Sequence, residues 1–389
     1  MRIPSKAAVL SVTMILGLVL PCKAQEKTTL FNKVLDLISA PSRTLDPTAV
    51  YQPAPSWTVS LSTEIRHAGI NQKNDFEMEF IDYDGIPRTF LFGTLDSWLY
   101  GGYDKSIGVQ AGYGNLSLGW NQKVFGDKEF KNNNLSFDFA SSGYAFQLQY
   151  MDFTHPMGYD LSLGAEGTDN YSSASGETEN PARLRAFIAD VSYSFNQRTF
   201  AYSAVYKGDK VQRRSAGSFM FGSKVINGLV EVDPEELIST LSGGIARYST
   251  TQVSFGGGYS YNIVAFHRQP DESTGKGLRN LAFNLTAIPM VTLYNRFSST
   301  VYEVNEENFG EFIKGATTSM NGNLLINYVT RAGMIYSREN MYLSLNGSYD
   351  SFSFKGKMDI PYRDYYLNKS KISGRFARWS AGLRFGVKF

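Results

Sequence analysis

The last eleven residues of the chain alternate strictly between two kinds of side chain. One set of positions is apolar: Trp379, Ala381, Leu383, Phe385, Val387 and Phe389. The positions between them are small or polar: Ser380, Gly382, Arg384, Gly386 and Lys388. Successive side chains of a β-strand point to opposite faces. The pattern therefore predicts a strand with one apolar and one polar face, which ends on an aromatic residue.

The same alternation begins at Trp57 and recurs along the chain. Ile107 to Tyr113 is followed by a tight Gly114-Asn115 turn and a returning strand, as in a β-hairpin. The stretch after Arg198 is also assigned as a strand, because aromatic and small apolar residues alternate there: Phe200, Tyr202, Ala204 and Tyr206. The number of candidates is odd, whereas single-chain membrane barrels have an even number of strands, so we predict about twelve, with fourteen as the alternative.

The links between the candidate strands fall into two groups. Short links are expected to be periplasmic turns: 114–115, 141–143, 196–199 and 337–340. Long polar links are expected to be extracellular loops: 67–88, 154–183, 297–318 and 355–372. This asymmetry is typical of outer-membrane barrels. The link 266–280 is an exception, since it is long but falls on the periplasmic side.

The composition of the polar faces separates two all-β folds. A soluble β-sandwich would expose many Lys and Glu side chains, but these polar faces carry mostly Ser, Gly, Asn, Gln and Thr. Aromatic residues make up 14 % of the chain, while the mean hydropathy is only −0.24. We therefore predict an all-β fold, an antiparallel transmembrane outer-membrane β-barrel over residues 57–389, in a Gram-negative cell envelope with both termini of the barrel periplasmic.

The amino-terminal residues have the pattern of a secretory signal peptide, residues 1–24, with cleavage near Ala24. A membrane anchor and lipidation at Cys22 are the alternatives. Residues 25–56 are expected to be a periplasmic segment that forms a short helix, plugs the barrel or stays disordered.

Removal of the signal peptide would leave no cysteine, and 35 basic residues against 36 acidic ones. The absence of a basic surplus argues against nucleic acid as a partner. Without cysteines or paired histidines, we expect no metal and no cofactor.

Charged residues on the polar faces are expected to point into the lumen: Glu64, Arg66, Asp138, Asp190, Arg331, Asp350, Arg384 and Lys388. If opposite charges pair, they close the lumen; if they do not, they line a pore. We therefore predict a non-enzymatic, porin-like barrel that is either a narrow channel or a scaffold whose loops bind a partner.

An outer-membrane hydrolase acting on lipid, or a rim protease, is the alternative function. It would need His67 with Ser60 or Ser62, or else a cluster at the base of one loop. The members of that cluster are Asp152, His155, Asp160 and Glu166. An ordinary solvated loop explains the second group more simply.

Four segments resemble a family of Bacteroidota outer-membrane barrels of unknown function: 107–120, 195–202, 212–218 and 258–262. The most specific is Gln212, Arg213, Arg214, Ser215, Ala216, Gly217 and Ser218. The resemblance covers Tyr51 to the end and implies an envelope location and a barrel, but no activity. At a rim, Arg213 and Arg214 would contact lipopolysaccharide phosphate or act as plain interfacial anchors.

The carboxy-terminal strand resembles the last strand of outer-membrane barrels. That resemblance implies that the barrel-assembly machinery recognises a terminal signal: Trp379, Leu383, Phe385, Val387 and Phe389. The expected partners are this machinery, outer-membrane lipids and lipopolysaccharide, and an unidentified protein or small molecule.

Overall fold

The computed structural model describes residues 45–389 apart from short gaps at 54–56, 82–85, 114–115, 126–131, 141–142, 166, 168–170, 242–243, 270–276, 305–311, 322–323 and 363–365. The predicted signal peptide, and the part of the predicted periplasmic segment before residue 45, lie outside the described residues. No helix in the described part of the chain is long and apolar enough to cross a membrane.

Seventeen strands and two short helices make up the described structure. In chain order they are β1 (Val50–Tyr51), β2 (Trp57–Ile81), β3 (Pro87–Tyr113), β4 (Leu116–Phe125), β5 (Asn132–Ala140), β6 (Tyr144–His155), β7 (Gly158–Ala165), β8 (Tyr171–Glu177), β9 (Ala182–Ser194), α1 (Ser203–Tyr206), β10 (Val211–Gln212), β11 (Ala216–Glu231), α2 (Leu237–Leu241), β12 (Ile245–Arg268), β13 (Arg279–Val304), β14 (Phe312–Asn321), β15 (Leu325–Arg338), β16 (Met341–Tyr362) and β17 (Tyr366–Lys388).

Twelve of these strands form a closed antiparallel ring. The order around the ring is β2, β17, β16, β15, β13, β12, β11, β9, β6, β5, β4 and β3, and a β2–β3 pairing closes it. β7 and β8 form a hairpin, in which β7 pairs with the first half of β3, from Leu91 to Trp98. β14 pairs with β13. The prediction of an all-β barrel with about twelve strands is confirmed.

The barrel has two different ends. The near end carries the first residue of β2 and the last residues of β3, β5, β12, β15 and β17. Arg268 near the end of β12 pairs with Arg279 at the start of β13, so these two strands are connected at the near end. The far end carries the last residues of β2, β4, β11 and β16, and the hairpin of β7 and β8.

Three of the predicted extracellular loops are wrong. The segments 67–88, 297–318 and 355–372 are largely strand, so that β2, β13, β16 and β17 are 25, 26, 22 and 23 residues long. The segment 154–183 contains β7 and β8 rather than an irregular loop. Backbone pairing between neighbouring strands continues through these segments. What changes there is the alternation of apolar outer and polar inner positions by which the strands were predicted.

Between the half of the barrel next to the near end and the half next to the far end, the apolar and polar faces of the strands exchange sides. The exchange is clearest on β16. In the near half, Leu343 and Leu345 are exposed on the outer face while Asp350 on the inner face is completely buried. In the far half, Lys355 is exposed on the outer face, and the side chain of Phe354 is buried in the lumen. The near half is therefore apolar outside and polar inside, and the far half has the arrangement of a water-soluble barrel.

The neighbouring strands show the same exchange. On β2, Trp57 and Leu61 point outward in the near half, whereas Lys73 and Asp75 occupy the outer face farther along. Apolar side chains from many strands fill the lumen of the far half: Phe76, Leu95, Leu99, Phe153, Leu184, Ile226, Phe297, Phe352, Phe354, Ile372 and Phe376.

Candidate functional site

The centre of the lumen is occupied by buried charged side chains. Lys224 on β11 places its Nζ 3.1 Å from Asp190 Oδ2 on β9 and 3.2 Å from Asp350 Oδ2 on β16. The side chains of Lys224 and Asp350 have no solvent-accessible surface. A charge buried in this way needs partners at short distance, because its desolvation costs several kcal/mol.

Two arginines complete this group. Arg331 Nη1 donates to Asp350 Oδ1 at 2.5 Å, and its Nη2 lies 3.6 Å from Asp190 Oδ2. Arg378 on β17 donates through Nε to Asp350 Oδ2 at 3.1 Å, and through Nη1 to Gln149 Oε1 on β6. We call Asp190, Lys224, Arg331, Asp350 and Arg378 the central ion cluster. β6 and β17 lie on nearly opposite sides of the ring, so the cluster and Gln149 span the lumen.

The far-half apolar residues pack directly against the cluster. Lys224 Nζ lies 5.0 Å from the centre of the Phe352 ring, in cation–π geometry. Phe352 in turn stacks on Phe376, with ring centres 6.4 Å apart. Buried apolar side chains therefore close the lumen immediately beyond the charges.

At the near end, the segment between β9 and β11 folds into the lumen. This inserted segment, residues 195–215, contains α1, and Phe200, Ala201 and Val205 are completely buried. Val205 packs against Ala282, Ile335 and Tyr342 on three strands. The predicted strand over Phe200 to Tyr206 is therefore wrong.

Gln212, the first residue of the predicted family motif, holds the inserted segment in place. Its Nε2 donates to Thr199 O at 2.7 Å and to Arg214 O at 2.9 Å. Its Oε1 accepts from Ala201 N at 3.0 Å and from Asn262 Nδ2 at 3.0 Å. One buried side chain thus connects both ends of the segment to the barrel wall.

Residues 45–53 pack under the inserted segment. β1 pairs with β10, and Arg213 donates to Pro47 O at 2.8 Å while its guanidinium lies 5.0 Å from the Tyr51 ring centre. Hydrogen bonds from the Thr48 hydroxyl and amide hold the pKa of Asp46 below its ordinary value. The Arg213 side chain therefore binds other residues of the same chain, at the end of the barrel predicted to be periplasmic.

A cavity of about 250 Å³ lies between the central ion cluster and the inserted segment. Its walls carry side chains from both of these features and from the barrel: Ser62, Glu64, Arg66, Gln110, Asn121, Gln147, Gln149, Asp190, Tyr202, Tyr206, Lys207, Arg331, Asn346, Ser348, Arg378, Ser380 and Arg384. Apolar side chains, among them Phe146 and Met151, line it as well, so it is a compartment of mixed character inside the near half.

The structure places most of the predicted lumen residues around this cavity. Glu64 pairs with Arg66, and Arg384 lies in the cavity wall. Asp190, Arg331 and Asp350 belong to the central ion cluster, while Lys388 is half-buried near the end of its strand. The side chain of Asp138 lies outside the described part of the structure.

Sequence reasoning missed Lys224, Arg378 and Gln149. Alternation is weak on β11, which contains Lys224, because its inner face mixes Met220 and Ile226 with the lysine. Arg378 would have followed from extending the alternation of the last strand by one residue.

The structure does not bring the hydrolase candidates together. His67 packs in a tilted arrangement against Tyr100 and Trp379, at 5.5 and 6.3 Å between ring centres, on the outer face of the barrel. Ser60 and Ser62 occupy the alternate, inner positions of the same strand, and Ser62 Oγ donates to Gly108 O at 3.4 Å. A Ser-His pair therefore does not form on β2.

The second hydrolase candidate group is also dispersed among other contacts. Both oxygens of Asp152 accept hydrogen bonds from Arg183, each at 2.8 Å, and this pairing raises the pKa of Arg183. His155 Nδ1 lies 3.2 Å from Pro156 O, and Asp160 is exposed on β7. Glu166 lies outside the described residues. Among those that are described, no three acidic, His or Cys side chains cluster as a metal site would require.

The fold and the lumen define an antiparallel barrel of the outer-membrane type with a filled interior. A model of the family described as a domain of unknown function, DUF4421, matches residues 94–373, and the chain belongs to this family. The Bacteroidota origin of the resemblance and its Gln212–Ser218 motif stay predictions. No curated protein matches the sequence.

Several solved barrels have a similar course of the chain. The outer membrane protease OmpT from Escherichia coli is 9 % identical, with coverage of 85 % of this chain and 97 % of that one and a TM-score of 0.38. A Pseudomonas aeruginosa FadL homologue is 10 % identical, with coverage of 85 % and 90 % and a TM-score of 0.23. The β domain of the Bordetella autotransporter BrkA is 9 % identical, with coverage of 81 % and 98 % and a TM-score of 0.24. Similarity at this level carries no information about activity.

Proposed function

We propose that this protein is a closed, non-enzymatic barrel of the bacterial outer membrane. Its near half is embedded in the lipid, and its far half is a rigid β-structure that stands outside the bilayer and offers a binding surface to a partner. Of the two roles that the sequence left open, this is the scaffold rather than the channel.

The outer surface of the near half supports the membrane location. Large apolar side chains are exposed on strands all around the ring, among them Trp57, Leu118, Phe219, Tyr259, Leu285, Ile326, Leu343 and Phe385. A water-soluble protein rarely exposes so continuous an apolar surface, whereas lipid-facing strands require one.

The strand lengths support the second part of the proposal. About 9–11 residues of a tilted strand cross the hydrocarbon core of a bilayer, and β2 has 25 residues. Because the outer face carries the exposed charged residues Lys73, Asp75 and Glu77, this stretch belongs in water. The far half thus extends beyond the membrane as an ordered continuation of the same sheet.

The single observation that carries the scaffold role is the filled lumen. The central ion cluster spans the barrel, and apolar side chains such as Phe352 and Phe354 pack beyond it. An ion crossing the barrel would have to separate buried ion pairs and then pass a dry apolar region, and both are costly.

Planar-bilayer recording of the full-length, signal-cleaved protein tests this role. We expect no steady conductance at any holding voltage, with insertion verified in the same preparation by heat-modifiable gel mobility. A general porin in the same bilayer is the control for the recording. Stable, stepwise currents from the inserted protein would refute the scaffold and restore the channel.

The non-enzymatic part has its own test. We expect no release of fatty acid from phospholipid vesicles by either the unmodified protein or the His155→Ala variant. Release that is present in the unmodified protein and lost in His155→Ala would establish the hydrolase instead.

A further inference from the structure

The cavity inside the near half is large enough for a ligand. A buried water needs about 10–15 Å³ of such space, and the cavity between the central ion cluster and the inserted segment measures about 250 Å³. It therefore has room for a small polar molecule together with several waters.

The described side chains around the cavity carry more positive than negative charge. The wall itself carries five cationic side chains and two carboxylates: Arg66, Lys207, Arg331, Arg378 and Arg384 against Glu64 and Asp190. Glu64 forms an ion pair with Arg66 and also interacts electrostatically with Arg384. Arg384 forms no ion pair with any side chain that the structure describes. A cationic surplus in a lumen surrounded by lipid is unfavourable unless an anion or water compensates it.

Arg384 has an incomplete set of hydrogen bonds. Its Nη1 donates to the backbone oxygen of Tyr206 at 3.3 Å. Its Nε is buried and has no hydrogen-bond partner among the described residues. A buried donor without a partner is unfavourable, so an acceptor bound beside this guanidinium would be favoured.

The neighbouring wall adds one further donor. The hydroxyl groups of Ser348 and Ser380 lie 2.9 Å apart, and Ser380 also hydrogen-bonds the carboxylate of Glu64, so both hydroxyl hydrogens are used within the wall. Ser62 Oγ likewise donates to Gly108 O at 3.4 Å. Gln110 Nε2 donates to Ser117 Oγ at 2.8 Å, which leaves its second amide hydrogen for a ligand in the cavity.

We propose that the cavity binds one free oxyanion of phosphate size, held by Arg384. A guanidinium presents two parallel N–H groups that match the oxygens of a phosphate or carboxylate. Paired strands form the wall, so a lipid headgroup with its acyl chains has no entry through it. The apolar side chains close the far side, and the anion enters from the near end, during folding or when the inserted segment moves. The binding does not depend on the scaffold role.

Inorganic phosphate is the probe for this site. The full mature chain is refolded in detergent with and without phosphate and desalted, and bound phosphate is counted by native mass spectrometry. Titration calorimetry of the phosphate-free sample gives the affinity. We expect one phosphate per chain, and no saturable binding after refolding in its presence would overturn the proposal.

Two variants on the same strand separate this site from nonspecific charge effects. Arg384→Gln removes the inward guanidinium and should weaken phosphate binding at least tenfold, a loss of about 1.4 kcal/mol per factor of ten. Arg375→Gln removes an exposed arginine on the outer face of β17 and should leave the affinity unchanged. Equal affinity of Arg384→Gln and the unmodified protein would overturn the proposal.

A third variant covers the case in which Arg384→Gln does not fold. Arg384→Lys keeps the positive charge but loses the two-pronged donor geometry. We expect it to bind phosphate more weakly than the unmodified protein. Undiminished affinity in this variant would show that the guanidinium does not hold the anion, and would equally overturn the proposal.

Discussion

The central ion cluster makes a prediction about two substitutions that remove opposite charges. Asp350 contacts three cations, Lys224, Arg331 and Arg378. Asp350→Asn would leave these three cations facing a single carboxylate, Asp190. Lys224→Met would leave two arginines facing two carboxylates, and it places an apolar side chain beside Phe352. The charge balance therefore worsens in the first variant and improves in the second.

The expected magnitudes follow from this difference. Removal of one partner from a buried ion pair costs about 3–5 kcal/mol, because the remaining charge stays buried without compensation. We expect Asp350→Asn to lower the free energy of unfolding by about that amount. Replacement of a buried charge by an apolar side chain is often close to neutral when the rest of the group stays balanced. We therefore expect Lys224→Met to cost no more than about half as much as Asp350→Asn.

Urea unfolding of the protein in lipid vesicles, followed by tryptophan fluorescence, measures both changes. Asp75→Asn is the matched control, since Asp75 is half exposed and 3.8 Å from Lys73, and exposed pairs contribute about 0–1 kcal/mol. The reasoning fails if Asp350→Asn and Lys224→Met are equally destabilising, or if Asp350→Asn costs no more than the control. Either result would mean that water screens the cluster.

Three further predictions concern the inserted segment, the far half and the membrane boundary. Gln212→Ala should lower the free energy of unfolding by about 1–3 kcal/mol, because it leaves buried backbone groups unpaired, and it should make the inserted segment sensitive to protease. Arg214→Ala, the control at an exposed side chain, should change neither property. Equal protease resistance of the two variants would contradict the role of Gln212. Phe352→Ala should cost about 3–5 kcal/mol in urea unfolding, and a cost below about 1 kcal/mol would show that the far half is not packed. A Lys73→Cys variant should react with a membrane-impermeant maleimide on intact cells, while Leu61→Cys should be protected by lipid, and the reverse order would contradict the assigned boundary.

The near half of the barrel could be predicted from the sequence because each strand there obeys one rule. Lipid outside and a polar lumen inside give the strict alternation seen from Trp379 to Phe389 and from Ile107 to Tyr113. The far half was missed because the rule reverses: Lys371 and Arg375 now lie on the outer face that carried Phe385, and Ile372 lies inside. An exposed charged face beside an apolar one looks like a polar loop when the apolar face is expected to continue on the same side.

The strand predicted over Phe200 to Tyr206, in the inserted segment, is wrong for a different reason. Alternation from Phe200 to Tyr206 has the period of a strand, but these residues are buried on several sides inside the lumen. Pairing to neighbouring strands is replaced there by hydrogen bonds with two side chains: Ala201 N donates to Gln212 Oε1, and Asn262 Nδ2 donates to Ala201 O. Such contacts between residues far apart in the chain cannot be read from local periodicity. The charged lumen positions could be read from it where the strand was correctly placed, as for Asp350 and Arg331.

The exchange of faces has a consequence for how accurately the strands must be aligned. In a barrel that is apolar outside along its whole length, a strand that slips by one residue makes errors of one kind. Here a one-residue slip of β17 against β2 would turn Arg384 towards lipid in one half and Phe376 towards water in the other. The two halves would reject the misaligned strand at the same time, for opposite reasons. The depth of the barrel in the bilayer is fixed in the same way, since sliding along the membrane normal would bring charge into lipid or apolar surface into water.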